Sequence, residues 1–130
     1  LQYQFAVPDQ ASHLISKTLE SLRIIGAPSF LTVLKRFGPS NPGYLSFPIK
    51  GWTLAIDIPL TFSNLDEIFK KLDEKVLNAG GRIYLAKDSR QTKEMFQNTY
   101  PLLDRWKEIR NSMDPKNIFC SDLAKRLNIV

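Results

Sequence analysis

The chain has 130 residues and a formal net charge of +5, with 43% hydrophobic and 24% charged residues. This length fits one domain, and this composition excludes an intrinsically disordered protein. No apolar run approaches the ~20 residues of a transmembrane helix, so neither a membrane-spanning segment nor an export leader is expected.

The first predicted elements are a strand and a helix. Residues 1–7 alternate between apolar and polar side chains, which is typical of a half-buried strand. Asp9 is expected to cap a helix, whose apolar residues recur at helical spacing from Leu14 to Ile25. Because the chain opens within the alternating strand, we expect it to be a piece of a longer protein.

The middle of the chain predicts two further strands around a long loop. Residues 29–38 are rich in β-formers, whereas residues 38–50 contain three prolines and two glycines and are predicted to form a loop. In residues 52–60 every second side chain is apolar, which predicts a strand with one solvent-exposed face. A capping motif at Ser63 then precedes a second amphipathic helix, which a pair of glycines ends.

A fourth short strand over residues 82–86 completes the order strand–helix–strand–strand–helix–strand. This order predicts an α+β fold of the ferredoxin-like βαββαβ type, an antiparallel sheet with both helices on one face. The rest of the chain predicts three further helices, at residues 91–98, 101–112 and 121–127. We therefore expect a ferredoxin-like unit over residues 1–86, followed by a helical C-terminal tail over residues 87–130.

The tail carries most of the positive charge. Residues 1–81 have a net charge of +1, and residues 82–130 have a net charge of +4. Such a basic segment can attract the phosphates of nucleic acid, of a nucleotide cofactor or of a phospholipid, or it can be a solvated helical face. One cysteine and one histidine predict neither an internal disulfide nor a metal site. Cys120 is expected to be structural, and His13 a surface or packing residue.

The strand alternation divides the predicted sheet into an apolar face and a polar face. The apolar side chains of residues 3–7 and 52–58 are expected to face the helices. The opposite face then gathers Gln2, Gln4, Lys35, Phe37, Thr53, Ala55 and Asp57. A polar sheet face can be merely solvated, but a small polar ligand requires the same kinds of groups. The residues alone leave both interpretations open.

Five motifs along the chain resemble one enzyme family. They are LQYQFAVP, VLKRFG, LSFPIKGWTLAIDIPL, AGGRIYLAKDSR and MDPKNIFCSDLAKRL. Together they resemble the C-terminal part of FAD-linked oxidases of the vanillyl-alcohol-oxidase type, to which the aldonolactone oxidases belong. The resemblance implies that residues 1–86 are part of a substrate (cap) domain and that residues 87–130 pack on a flavin domain. It also implies that FAD is bound mainly by an N-terminal segment absent from this chain, so the chain alone is expected to be inactive.

The same resemblance implies a set of substrate-binding residues. They are Gln2, Gln4, Lys35, Phe37, Thr53 and Ala55, and the strand alternation adds Asp57 from the same face. Thr53 and Ala55 stand where a close member of the family has Asn and Cys, so a different pocket shape and substrate preference are expected here. Asp57 is the only carboxylate of the polar face and could act as a base or pair with Lys35. We favour the pairing.

The implied reaction oxidises a CH–OH group of a sugar or sugar-derived substrate by hydride transfer to the flavin. Tyr84 and Lys87 match residues at the flavin in this family. The Lys87 ammonium is the first catalytic candidate, because a fixed positive charge stabilises the anion of the reduced flavin. Its alternative is a surface ion pair with Asp88 or Asp57. Lys35 is the second candidate, as a point charge that holds a phosphate or hydroxyl of the substrate.

Two other functions stay open from the sequence. A stand-alone module that binds or senses a small molecule would explain the ferredoxin-like pattern but not the tail. A nucleic-acid binder would explain the positive charge, but it needs aromatic residues on the central strands, where this chain has Gln, Thr, Ala and Asp. The expected partners are therefore a sugar-type small molecule, the missing flavin-binding segment and a second copy through the exposed sheet or tail, and not nucleic acid. The expected location is cytoplasmic, with membrane association as the alternative.

Overall fold

The computed structural model of the protein describes residues 1–62 and 64–130. Their strands and helices are, in chain order, β1 (Gln2–Pro8), α1 (His13–Ile24), β2 (Thr32–Phe37), β3 (Gly51–Asp57), α2 (Leu65–Asn78), β4 (Arg82–Ile83), α3 (Lys93–Thr99), α4 (Leu103–Met113) and α5 (Asp122–Arg126). Two single turns of 3-10 helix, Asp9–Ala11 and Leu85–Lys87, precede α1 and follow β4. The elements therefore follow the order that the periodicities predict.

The strands form one antiparallel sheet in the spatial order β2-β3-β1-β4. Strand β1 lies inside the sheet between β3 and β4, and β2 forms the opposite edge. This is the arrangement of a split βαβ unit, so the predicted α+β ferredoxin-like fold is confirmed.

Helices α1 and α2 cover one face of the sheet. Each helix buries residues spaced three or four apart, because this spacing places them on one side of an α-helix. They meet the alternate apolar residues of β1 and β3. The resulting core includes Tyr3, Phe5, Val7, Ile15, Leu22, Leu54, Ile56, Phe69, Leu72 and Val76.

The strand register defines the other side, which we call the open face. Gln2 lies opposite Asp57 and Gln4 lies opposite Ala55 in the pairing of β1 with β3. Thr53 lies opposite Lys35 in the pairing of β3 with β2. Because directly paired residues point to the same side of a sheet, these side chains share the face opposite the helices, as the alternation predicts.

The C-terminal tail has a hydrophobic core of its own. Phe96, Tyr100, Leu103, Leu127 and Ile129 are buried together there. Leu45 from the loop before β3 and Leu85 from the turn after β4 pack against this cluster. The tail therefore packs on the edge of the ferredoxin-like unit through these two residues.

Several predicted boundaries are wrong. The fourth strand stops at Ile83 instead of residue 86, because the Lys87 amide donates to the Tyr84 carbonyl and curls the chain into a 3-10 turn. Asp9 does not cap α1, since its carboxylate accepts from Arg36 at 3.1 Å. The capping prediction at Ser63 lies outside the described residues.

Among the described helices, none combines the length and the apolar character that crossing a bilayer requires.

Candidate functional site

The centre of the open face is a hydrogen-bonded pair, Gln4 and Thr53. The Gln4 side-chain amide donates to the Thr53 hydroxyl at 3.0 Å, and this hydroxyl donates to the Phe5 carbonyl at 2.9 Å. Thr53 is 1% exposed. The prediction that Thr53 lies on a wet surface is therefore wrong, because its hydroxyl is buried and hydrogen-bonded to Gln4 and Phe5. Its paired hydroxyl fixes the direction of the Gln4 amide.

A second polar pair lies at one end of the same face. The Gln2 amide donates to the Asp57 carboxylate at 2.6 Å, and both side chains are half-buried. The favoured pairing of Asp57 with Lys35 is wrong: Lys35 lies opposite Thr53, four residues before Asp57 along β3. Asp57 instead orients the Gln2 amide, so the two predicted glutamines are each held by a partner on β3.

Three aromatic rings cross the open face beside these pairs. The Phe47 ring meets the Phe37 ring edge-on at a centroid distance of 5.7 Å and stacks on the Tyr84 ring at 4.5 Å. Phe37 is the last residue of β2 and Tyr84 directly follows β4, so the row extends from one edge of the sheet to the other. The sequence predicted Phe37 and Tyr84 but missed Phe47, which is buried and completes the row.

The segment that supplies Phe47 was predicted only as a loop. Its apolar residues Leu45 and Phe47 alternate with polar Ser46, which is a weak signal for a segment lying along a surface. Arg82 of β4 anchors this segment by donating to the Ser46 carbonyl at 2.6 Å, and it also donates to the Thr99 carbonyl at 2.9 Å. The loop therefore covers the half of the open face that contains the aromatic row. The half with Gln2 and Asp57 stays accessible.

Lys35 and Ala55 mark the β2 side of the site. Lys35 is exposed, whereas Ala55 is buried between Gln4 and Val33 in the register of the sheet. The prediction that Ala55 is exposed to solvent is therefore wrong. Since β2 and β4 are separated by three strand spacings, Lys35 lies about 14 Å across the sheet from Tyr84.

Lys87 lies on the opposite side, in the turn after β4. It is half-buried and lines a cavity of about 10 Å³ together with Gln2, Asp73 and Arg90. Within the described ranges, the Lys87 ammonium forms no ion pair. The alternative of an ion pair with Asp88 or Asp57 is thus wrong, because Asp88 binds Arg126 and Asp57 binds Gln2.

A buried polar cluster underlies this cavity. The Tyr3 hydroxyl donates to the Asp73 carboxylate at 2.8 Å, and Arg90 donates to the other Asp73 oxygen at 2.8 Å. Burial raises the pKa of Asp73, and burial followed by the charge of Asp73 raises the pKa of Tyr3 well above its usual range. The neighbouring Gln91 is 1% exposed, and its side-chain amide has no hydrogen-bond partner in the described part of the chain.

Two residues singled out from the sequence lie away from the open face. Cys120 is exposed in the tail, so the expectation that it is a structural, packed residue is wrong. His13 is the exposed first residue of α1, on the helix side of the sheet, as a surface residue.

The site therefore presents two ammonium groups at opposite sides of a polar strip. Lys35 flanks it on β2, Lys87 flanks it after β4, and the oriented amides of Gln2 and Gln4 lie between them. The amides can bind hydroxyl groups, and the two cations can each bind an anionic or electron-rich group. This chemistry suits a polyhydroxylated ligand that carries, or lies beside, an anionic group.

Comparison with known proteins gives a consistent result. The sequence profile of a family described as D-arabinono-1,4-lactone oxidase matches residues 54–127. The chain is 46% identical over 130 residues to decaprenylphosphoryl-beta-D-ribose oxidase of Mycolicibacterium smegmatis, covering 100% of this chain and 28% of that protein. It is also 21% identical over 128 residues to L-gulono-1,4-lactone dehydrogenase of Mycobacterium tuberculosis, covering 97% of this chain and 30% of that protein. The chain thus spans less than a third of the length of these curated relatives.

Proposed function

Because the chain belongs to the D-arabinono-1,4-lactone oxidase family, we propose that it is the C-terminal part of an FAD-dependent oxidoreductase that oxidises a CH–OH group of a sugar or sugar-derived substrate. The resemblance of the five motifs to FAD-linked oxidases is confirmed by this membership. The observation that carries the proposal is that Lys35 and the two oriented glutamines share one sheet face, while Lys87 lines a cavity beside Gln2 at the β4 edge.

The residues of this face fit a flavin and its substrate. The Lys87 charge is not neutralised by a carboxylate of the described residues, so it is available to a negatively polarised edge of a ligand. Tyr84, three residues earlier, supplies an aromatic ring that Phe47 holds in place. An ammonium can bind the negatively polarised edge of an isoalloxazine and an aromatic ring can pack against it, so we propose that Lys87 and Tyr84 hold FAD.

When bound, FAD supplies the acceptor for the hydride that leaves the alcohol carbon. Lys87 contributes a preorganised positive charge where negative charge develops, which is worth a few kcal/mol in a dry site. Gln2 and Gln4 bind substrate hydroxyls with amides that their β3 partners already orient. Lys35 holds an anionic or hydroxyl group of the substrate at the far side, and Phe37 limits the pocket there.

Pocket shape follows from two small residues of β3. Thr53 and Ala55 are buried beside Gln4, so they determine how deeply a substrate enters the face. Asp57 accepts a hydrogen bond from Gln2 and is proposed to orient that amide for the substrate. These assignments make the β3 side the part of the site that distinguishes one sugar substrate from another.

The two parts of the chain are proposed to contact different parts of the enzyme. Residues 1–86 form the ferredoxin-like part of a substrate domain, and the helical tail packs on a flavin domain contributed by the remainder of the protein. The tail supports this assignment with three apolar side chains that are more than seven-tenths exposed: Met113 at 81%, Ile118 at 73% and Phe119 at 83%. Met113 and Phe119 line one surface depression, and an exposed apolar surface of this kind marks an interaction site.

Replacing Lys87 tests the proposed function. In the full-length enzyme, Lys87→Ala should slow flavin reduction by substrate about tenfold to a thousandfold, because one preorganised charge is lost. Stopped-flow absorbance of the flavin measures this rate. Lys71→Ala is the matched control, since Lys71 is exposed on α2, on the opposite side of the sheet. Equal reduction rates in Lys87→Ala and the unmodified enzyme would remove Lys87 from the mechanism.

A further inference from the structure

We infer that the ion pair between Asp88 and Arg126 positions Lys87, so that the last helix of the chain sets the placement of the charge at the flavin site. Asp88 directly follows Lys87, whereas Arg126 is the final residue of α5. The inference rests on the proposed role of Lys87. It adds two positioning residues that do not themselves touch the open face.

Asp88 organises the segment that follows Lys87. One oxygen of its carboxylate accepts from the backbone amides of Arg90 at 2.9 Å and Gln91 at 2.7 Å. The other oxygen accepts from Arg126 at 2.8 Å. The Asp88 side chain is 1% exposed, so these donors satisfy a buried charge. A buried carboxylate of this kind is costly to leave without its cationic partner.

Arg126 ties this segment to the C-terminal helix. Besides Asp88, its guanidinium donates to the Gln91 carbonyl, so one side chain binds both ends of the Asp88 turn. The neighbouring Leu127 is fully buried in the tail core. The burial of Leu127 therefore fixes the backbone next to Arg126. Through its hydrogen bonds, Arg126 couples residues 88–91 to the tail core.

Lys87 is fixed on both sides by these contacts. Its own amide donates to the Tyr84 carbonyl at 3.1 Å, and the Asp88 amide donates to the Leu85 carbonyl at 3.2 Å. On the C-terminal side of Lys87, the ion pair between Asp88 and Arg126 holds the backbone in place. Without that pair, the Lys87 backbone would be held only by a single 3-10 turn, and a displacement of about 1 Å at a charged group can cost up to about a hundredfold in rate.

The test uses the full-length enzyme with Arg126→Gln and Asp88→Asn. Asp88→Asn keeps an oxygen for the Arg90 and Gln91 amides and removes both the charge and the acceptor oxygen that bind Arg126. Both variants should slow flavin reduction about tenfold or more, and should make the midpoint potential of the bound flavin more negative. Amide hydrogen exchange of residues 85–91 should also become faster. Arg105→Gln is the matched control, because Arg105 forms an exposed ion pair with Glu108 on α4 of the tail.

A double-variant comparison separates positioning from general stability. If Arg126 acts through Lys87, Arg126→Gln should have little further effect on reduction or potential once Lys87→Ala is present. Effects that add fully would overturn the inference, as would an unchanged rate and potential in both single variants while Lys87→Ala is slow. If Lys87→Ala is itself unchanged, the proposed function fails instead. Should Arg126→Gln not fold, Asp88→Asn provides the same comparison.

Discussion

The Thr53 hydroxyl joins two hydrogen bonds at the middle of the open face. It accepts from the Gln4 amide and donates to the Phe5 carbonyl. A buried group with both of these roles cannot be replaced by an apolar isostere without leaving its partners unpaired. Thr53 is therefore a structural support for Gln4, in addition to its proposed role in pocket shape.

Thr53→Val should lower the free energy of unfolding by about 1–3 kcal/mol, because Gln4 loses its acceptor and Phe5 loses a donor. Thr53→Ser keeps the hydroxyl and should lose only about 1 kcal/mol from the missing methyl group. Urea unfolding of the two variants measures the difference. A valine variant as stable as the serine variant would show that these hydrogen bonds do not hold the face together.

At the scale of elements, the loop over the open face depends on how β3 begins. Gly51 has a φ of +151°, and a Cβ built at this position would lie 2.1 Å from the Val7 carbonyl oxygen. Gly51 thus allows β3 to approach β1 closely at the point where the chain, after placing Phe47 on the open face, enters the sheet. By contrast, a Cβ at Gly38, at the other end of the loop, would meet no atom within 4 Å.

Gly51→Ala should lower the free energy of unfolding by about 1–3 kcal/mol or more, since the new methyl group collides with backbone atoms and not with a flexible side chain. Gly38→Ala should change the free energy of unfolding by less than about 0.5 kcal/mol. Denaturant midpoints of both variants check this pair. Equal midpoints would mean that β1 and β3 can separate without cost at Gly51.

At the scale of the whole molecule, the tail has a buried side and an exposed side. Arg110 donates to the Asp114 carboxylate and the Phe119 carbonyl, and Asp114 accepts from the Ile118 and Phe119 amides. This turn holds Ile118 and Phe119 outward in a defined conformation. A defined, exposed apolar turn is suited to docking on the proposed flavin domain.

Phe119→Ser should weaken the binding of this chain to a separately produced flavin-binding segment by about tenfold or more, because one apolar anchor is lost. Ile24→Ser is the matched control, since Ile24 is 69% exposed at the end of α1, on the helix side of the sheet. Titration followed by calorimetry measures both affinities. Equal losses in the two variants would contradict a docking role for the tail surface.

By itself, the sequence determined the order of the elements, the ferredoxin-like topology and the two faces of the sheet, because alternation and helical spacing report which side of each element is apolar. The resemblance of its motifs also identified the family. Only the tertiary structure decided that Thr53 is buried, that Phe47 crosses the open face, that Asp57 binds Gln2 and that Arg126 holds the segment after Lys87. These contacts join residues distant in the chain, and local periodicity contains no information on how a loop or a tail folds back over a sheet.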